Sequence, residues 1–98
     1  MHESVLFRDL REALIRTAAG EGADRITRAS VWIGALSHVN PPMLREEWPE
    51  IVAGTPAEGS ELRIETSSDL DDPRAASIVL LTVTVLSDGE SSGGSGPS

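Results

Sequence analysis

The feature that constrains this chain most is an apolar run near its carboxyl end, residues 77–86 (SIVLLTVTVL). The run is rich in β-branched residues, which favour strands over helices. It is apolar on both of the faces that a strand presents, so it is the strongest strand signal in the chain. The run therefore predicts that the chain folds around a β-sheet, for which the rest of the sequence supplies the other strands and a covering layer.

Two segments have the spacing of amphipathic helices. The first is residues 4–19, and two glycines just beyond it supply a stop. The second begins at Asn40, a good N-cap followed by two prolines that fit a first helical turn, and it ends at Gly54. Pro49 lies inside the second helix and is predicted to kink or split it. The apolar positions are Leu6, Leu10, Ala13, Leu14 and Thr17 in the first helix, and Met43, Leu44, Trp48, Ile51 and Val52 in the second.

Two further strands are predicted at residues 26–36 and 60–66, where apolar and polar residues alternate. The polar segment 67–76 contains a proline and is predicted to be a loop. The order helix, strand, helix, strand, strand predicts an α/β fold, a two-layer sandwich with two helices on one face of a three-stranded mixed sheet. Residues 1–86 then form one domain, and the Gly/Ser-rich residues 87–98 form a flexible tail.

One face of such a sheet has no helix over it. Alternation places Ala29, Val31, Ile33 and Ala35 toward the helices, which puts Trp32 on the open face. The same count places Ile78, Leu80 and Leu86 on the open face. Because a wet apolar face is unfavourable, one interpretation is a homodimer or another protein partner that covers the face near Trp32. The alternative is that the tail or loop 67–76 folds over it.

Composition excludes several classes of function. The 98 residues carry 8 basic and 16 acidic side chains, a net charge of −8, and they contain no lysine. A chain so acidic, without a basic run, is a poor nucleic-acid binder. The absence of cysteine removes disulfides, thiolate catalysis and cysteine-based zinc or iron–sulfur sites, and it is compatible with a cytoplasmic location. No segment has the length and apolarity of a membrane span, and no signal peptide is visible.

The opening Met1-His2-Glu3 is the segment most capable of metal chemistry. The α-amine, the amide nitrogen of His2 and its imidazole can wrap one ion in adjoining chelate rings, and a carboxylate can complete a plane of four donors. Nitrogen-rich planar coordination suits Ni(II) or Cu(II). Binding displaces the amide proton, so it should strengthen as the pH rises. The plainer interpretation is a solvated terminal histidine.

Other polar residues are weaker candidates. His38, in the turn after the first predicted strand, is either a surface residue or a second metal ligand brought near the amino terminus. Asn40 can offer a carbonyl oxygen to the same site, but helix capping competes for that atom. The acidic residues form no catalytic pair. Asp69, Asp71 and Asp72 lack the glycine and distal glutamate of a calcium loop. No nucleophile–base arrangement is present, so an enzyme is the least favoured class.

Taken together, several short stretches of the sequence resemble one family. The initial Met-His-Glu and the run 33–41 (IGALSHVNP) come first, and Leu44, Gly54-Thr55, residues 57–59 (AEG) and residues 62–65 (LRIE) follow at matching spacing. Over about residues 1–66 the chain resembles the HypA/HybF nickel metallochaperones of NiFe-hydrogenase maturation.

The resemblance implies a nickel-binding domain of two helices and three strands. It implies Ni(II) held at the amino terminus by the amine and backbone of Met1, the imidazole of His2 and Glu3. Asn40 falls where some members have an acidic residue near the nickel. The partners implied are a maturation GTPase and the hydrogenase large subunit, to which family members pass the metal.

The chain also departs from the family. Family members insert a zinc domain with paired CxxC motifs before the last strand; here the short loop 67–76 takes its place, so no zinc is expected. Pro49 interrupts a helix that is otherwise unbroken in the family pattern. Two functions therefore stay open: a zinc-less nickel carrier, or a metal-free scaffold or protein-interaction module that kept the fold.

Overall fold

The chain folds as the predicted two-layer α/β sandwich. The structure, a computed structural model, describes residues 2–86, with side chains from Val5 onward. The predicted tail therefore lies outside the described residues. Both helices pack on one face of the sheet, whose strand order is β2-β1-β3, with β1 parallel to β2 and antiparallel to β3. The elements are α1 (His2–Glu21), β1 (Arg25–Ile33), α2 (Pro41–Val52), β2 (Glu61–Thr66) and β3 (Ile78–Leu86).

The apolar stripe of α1 is confirmed, because Leu10 and Leu14 are buried against the sheet and Leu6 is half-buried. The helix runs two residues beyond its predicted end. Gly22, at φ 63°, adopts the left-handed conformation that ends a helix, and the Ala23 amide donates to the Ala18 carbonyl over 2.9 Å. This ending leaves a short turn into β1, so α1 and β1 run antiparallel.

Pro49 does not split the second helix, which was one of the two predicted outcomes; α2 is a single helix that contains the proline. Its proline is exposed, whereas Leu44 and Trp48 before it and Ile51 and Val52 after it are buried. Both halves of the helix are thus held on the same core. The only backbone bond that the proline ring removes is the one to the carbonyl of Arg45, four residues earlier.

The first strand ends at Ile33, three residues earlier than predicted. The Ser37 amide donates to the Gly34 carbonyl over 3.1 Å, so residues 34–37 form a turn. Loop 67–76 packs directly on this turn, because a Cβ built on Gly34 would lie 2.2 Å from the Ala75 carbonyl oxygen. Only glycine leaves room for that approach.

The predicted face of the sheet is wrong for two side chains of β3. Ile78 and Leu80 lie opposite Ile33 and Val31, on the helix-covered face and not on the open one. The cause is a bulge between Ser30 and Val31 in the β1–β3 register, which inserts Leu81 as an extra residue and reverses the alternation.

Trp32 does lie on the open face, as predicted, and it is half-buried. The Arg74 guanidinium of loop 67–76 lies 5.2 Å from the centre of its ring. The loop therefore covers this part of the open face. Leu86 is 42% exposed, in keeping with its predicted place outside the core.

Candidate metal site at the amino-terminal end of the helix layer

The two helices run side by side in the same direction, which sets where the amino terminus lies. Arg11 of α1 shows how far the two helices are shifted along their common direction. Its Nη1 donates to the Ile51 carbonyl over 3.0 Å and to the Ala53 carbonyl over 2.8 Å. Counting about nine residues, or about 14 Å, back along each helix brings His2 level with Pro42 in the first turn of α2. The first turn of α1 thus lies beside the first turn of α2.

The predicted ligands at the amino terminus fall largely outside what the structure describes. Met1 is not described, and His2 and Glu3 are described as the first residues of α1 without their side chains. Their coordination geometry therefore stays a prediction. The backbone places them at the end of the molecule where β1 finishes and residues 34–40 follow.

Asn40 caps α2, as the competing interpretation predicted. Its Oδ1 accepts a hydrogen bond of 2.9 Å from the Met43 amide, and its backbone is extended, with φ −121° and ψ 165°. The bond satisfies one of the amide donors that a helix leaves unpaired at its start. The oxygen that was considered as a ligand is thus engaged in the cap.

His38 is exposed in the turn between β1 and α2, which confirms the surface position. The residue after it, Val39, is buried at 2% exposure, and the Val39 amide donates to Ser37 Oγ over 3.1 Å. These contacts fix the backbone on either side of His38, in the segment between the end of β1 and the first turn of α2.

The aspartates of loop 67–76 organise the loop and do not converge. Asp69 Oδ1 accepts from the Asp71 amide over 3.0 Å, and Asp72 Oδ1 accepts from the Arg74 amide over 2.7 Å. These are local turn contacts of the kind aspartate makes in loops. Among the side chains that the structure describes, no three His, Asp or Glu residues lie together as a metal site.

Two arginines were missed at the sequence level. Arg11 joins α1 to the last carbonyls of α2, and Arg74 stacks on Trp32. Helical spacing puts Arg11 outside the apolar stripe of α1, and nothing in that spacing reveals that a second helix ends within reach. The arginine in loop 67–76 lies far from the tryptophan in sequence, so only the folded chain shows the contact.

Comparison with known proteins shows which family the chain resembles over most of its length. The protein family described as hydrogenase/urease nickel incorporation, metallochaperone, HypA, matches residues 1–69. The hydrogenase maturation factor HypA of Chlorobium limicola is 42% identical over 65 residues, which cover 66% of this chain and 56% of the relative. HypA of Rhizobium leguminosarum is 36% identical over 64 residues, covering 65% and 57%.

A third relative, HypA of Methanosarcina acetivorans, is 35% identical over 66 residues, covering 67% of this chain and 50% of the relative. The chain thus spans about half the length of the curated relatives it matches. Within residues 2–86, none of the helices combines the length and apolarity needed to cross a bilayer.

Proposed function

Because the chain belongs to the HypA family of nickel metallochaperones, we propose that it binds Ni(II) as cargo and delivers it during NiFe-hydrogenase maturation. The observation that carries the proposal is the family match over residues 1–69, which includes the Met-His-Glu opening. The proposed donors are the α-amine of Met1, the amide nitrogen and imidazole of His2, and a carboxylate oxygen of Glu3. Four donors of this kind favour the planar geometry of Ni(II).

The fold supports this assignment through the position of α1. Its first residue lies about level with the first turn of α2, and we propose that His38 and Asn40, which precede that turn, join the site. We propose His38 as an additional donor, since its imidazole is exposed and unprotonated imidazole is a common ligand. Asn40 contributes first through its cap, which fixes the first turn of α2 beside the amino terminus; its oxygen keeps a second lone pair for a ligand.

The proposed partners are a maturation GTPase and the hydrogenase large subunit that receives the metal. The chain has no cysteine to hold a zinc ion in the manner of paired CxxC motifs, so we propose that it carries nickel alone. Loop 67–76, which stands where family members insert the zinc domain, folds back onto Gly34 and Trp32.

Calorimetric titration with Ni(II) tests the proposal, using the chain with Met1 as its first residue. His2→Ala should weaken binding by more than about tenfold, since it removes an imidazole donor. A glycine added before Met1 should also weaken binding, because it moves the α-amine out of the chelate ring. Equal affinity of the original chain and the His2→Ala variant would remove the proposed site.

His38→Ala is the informative companion variant. An imidazole that joins the site should lower the affinity when it is removed, whereas a solvated histidine should leave the titration unchanged. Thermal unfolding of the variant checks that the fold is kept when this exposed side chain is removed. The pH dependence adds a further check: the affinity should rise with pH, because the metal displaces a proton from the His2 amide.

The second candidate is a metal-free interaction module. It is favoured by Asn40, which is uncharged and whose Oδ1 accepts the capping bond from Met43. Metal analysis of the chain purified with its own amino terminus separates the two functions. Stoichiometric nickel supports the carrier, and its absence after exposure to excess nickel supports the module.

A further inference from the structure

We propose that the outer edge of β3 is a self-association surface, where a second copy of this chain pairs antiparallel to β3 and joins the two three-stranded sheets into one. This surface is the edge of the sheet and differs from the open face at Trp32. The proposal does not depend on nickel binding. It rests on a contrast between the two edges of the sheet, since the order β2-β1-β3 leaves one side of β2 and one side of β3 without a neighbouring strand among the described residues.

The β2 edge is protected against further pairing. The strand has six residues, and three of them, Glu61, Arg63 and Glu65, are charged. In addition, Arg45 of α2 reaches over the strand and donates from Nη1 to the Leu62 carbonyl over 3.3 Å. Short length, charge and a side chain on a strand carbonyl are devices that keep a sheet edge from pairing with another chain.

The β3 edge lacks these devices. The strand has nine residues and contains no charged residue and no proline. Leu81 and Leu86 are 41% and 42% exposed, in a chain whose net charge of −8 otherwise repels a second copy. A long, uncharged edge of this kind is a template for a further strand.

The hydrogen bonds at the two ends of β3 show which of its residues turn their backbone N–H and C=O groups toward the free edge of the sheet. The Ser77 carbonyl accepts from the Gly34 amide over 2.9 Å, and the Leu86 carbonyl accepts from the Asp24 amide over 3.0 Å, so both ends point toward the β1 side. Backbone polar groups alternate along an antiparallel strand. With the bulge at Leu81 taken into account, four residues have backbone groups that point away from β1 and form the outward set: Ile78, Leu80, Val83 and Val85.

This outward set is self-complementary. In an antiparallel pair about a two-fold axis, Ile78 lies opposite Val85 of the second copy and Leu80 lies opposite Val83. The axis then passes between Leu81 and Thr82, where the bulge falls. A two-fold contact requires one patch to match itself, and this symmetry about the bulge meets that requirement. The bulge thereby sets the register of the proposed pair.

A second copy fits the edge better than the chain's own tail. Residues 87–98 contain no apolar residue except one proline and carry Asp88 and Glu90, so they lack the β-forming side chains of a partner strand. A nine-residue strand is about 30 Å long, and a sheet with one helix layer is about 20 Å thick. An edge of roughly 600 Å² in each copy reaches the lower limit of about 1,200 Å² for a specific dimer.

Sedimentation equilibrium across a range of protein concentrations tests the proposal. The original chain should form a dimer and no larger species, because the protected β2 edges close the assembly. Leu81→Glu should weaken the dimer by roughly tenfold or more, since it puts like charges near the axis and removes apolar contact. Leu36→Glu, at a leucine that is 54% exposed outside β3, should dimerise like the original chain.

Thermal unfolding of Leu81→Glu and Leu36→Glu at low protein concentration provides the folding control. If the two melting curves are similar, a difference in sedimentation reflects the dimer contact and not a loss of the fold. At about millimolar concentration even a weak specific dimer is populated. A chain that stays monomeric there therefore overturns the proposal. So does a Leu81→Glu variant that dimerises as well as Leu36→Glu.

Oxidative cross-linking gives a second measurement that does not depend on a damaging charge. The chain has no cysteine, so Leu81→Cys introduces its only thiol. Near the proposed axis the two copies of this residue come within about 6 Å, the Cα separation that a disulfide spans. Rapid formation of a covalent dimer is expected, and Leu36→Cys should cross-link far more slowly. Equal rates for the two variants would place any dimer contact elsewhere.

Discussion

The two faces of the central strand β1 differ in how completely they are buried. On the helix-covered face, Ala29, Val31 and Ile33 are 0%, 0% and 3% exposed, so β1 is sealed there by both helices. On the other face, Ser30 and Trp32 are only half-buried. The first face is a packed core in which each methyl group has neighbours on all sides. The second is a surface that a single loop partly covers.

The cover on the second face comes from a few specific contacts. Loop 67–76 is joined to the end of β1 by the Leu36 amide, which donates to the Ala75 carbonyl over 2.8 Å, and by the close approach at Gly34. Arg74 adds its stacking contact with Trp32. The difference between the faces indicates that most of the free energy of unfolding comes from the core under the helices. The loop is held by a few contacts that single substitutions can remove.

The largest expected effect comes from matched leucine truncations, one under the helices and one at an exposed position of β3. Leu14 of α1 is 0% exposed, so Leu14→Ala should lower the free energy of unfolding by about 3–5 kcal/mol through lost burial and the cavity it leaves. Leu81→Ala, at 41% exposure, should cost less than about 1 kcal/mol. Urea denaturation at low protein concentration measures both. Similar losses for the two variants would break the comparison.

Gly34→Ala tests the close contact between the strand end and the loop. Its new Cβ would meet the Ala75 carbonyl at 2.2 Å, and a backbone atom cannot step aside as a flexible side chain can. The loss should be about 2–3 kcal/mol. Gly20→Ala, at a position with open space around it, is the control and should be neutral or stabilising. If Gly34→Ala were as stable as the control, the loop would have to move freely.

Asn40→Ala examines the helix layer at its amino-terminal end. Losing the bond to the Met43 amide should cost about 1 kcal/mol. Asn40→Asp keeps a capping oxygen and should unfold within a few tenths of a kcal/mol of the original chain. Thermal or urea unfolding of both variants decides the matter. A loss for Asp as large as that for Ala would show that the amide group, and not the capping oxygen, is what stabilises this end.

Arg74→Gln should have the smallest effect, about 0.5–1 kcal/mol, because a stacked arginine at an exposed site contributes little. Arg16→Gln, on the exposed side of α1, removes the same charge without touching Trp32 and serves as the reference. The difference between the two variants in urea denaturation gives the combined contribution of the stacking on Trp32 and of the ion pair with Asp72, whose Oδ1 lies 3.6 Å from Arg74 Nε. No difference would mean that Arg74 covers Trp32 without stabilising the loop.

Much of the fold follows from local patterns in the sequence. The stripe of α1 and the apolar run of β3 predict their elements because hydrophobic period is imposed by the backbone itself. Asn40 and the prolines after it fix the start of α2 for a similarly local reason, since a cap acts within its own turn. The match of residues 1–69 to the HypA family confirms the family resemblance that the sequence motifs indicate.

The candidate site is predictable only in part. Met-His-Glu is visible in the sequence as a set of donors, and the exposed position of His38 is confirmed. That His38 lies at the same end as the amino terminus depends on how the helices pair. This arrangement is fixed by Arg11 and the carbonyls of Ile51 and Ala53, which are about forty residues away in the chain.

The sequence by itself determined the order of helices and strands, the cap of α2, the composition that excludes cysteine chemistry and the resemblance to a metallochaperone. Only the tertiary structure decided which face Ile78 and Leu80 occupy, whether α2 survives Pro49 and why position 34 is glycine. The first group depends on residues close together along the chain. The second depends on strand register and on packing between distant segments, since a one-residue bulge reverses a face and a shared core holds a helix together across a proline.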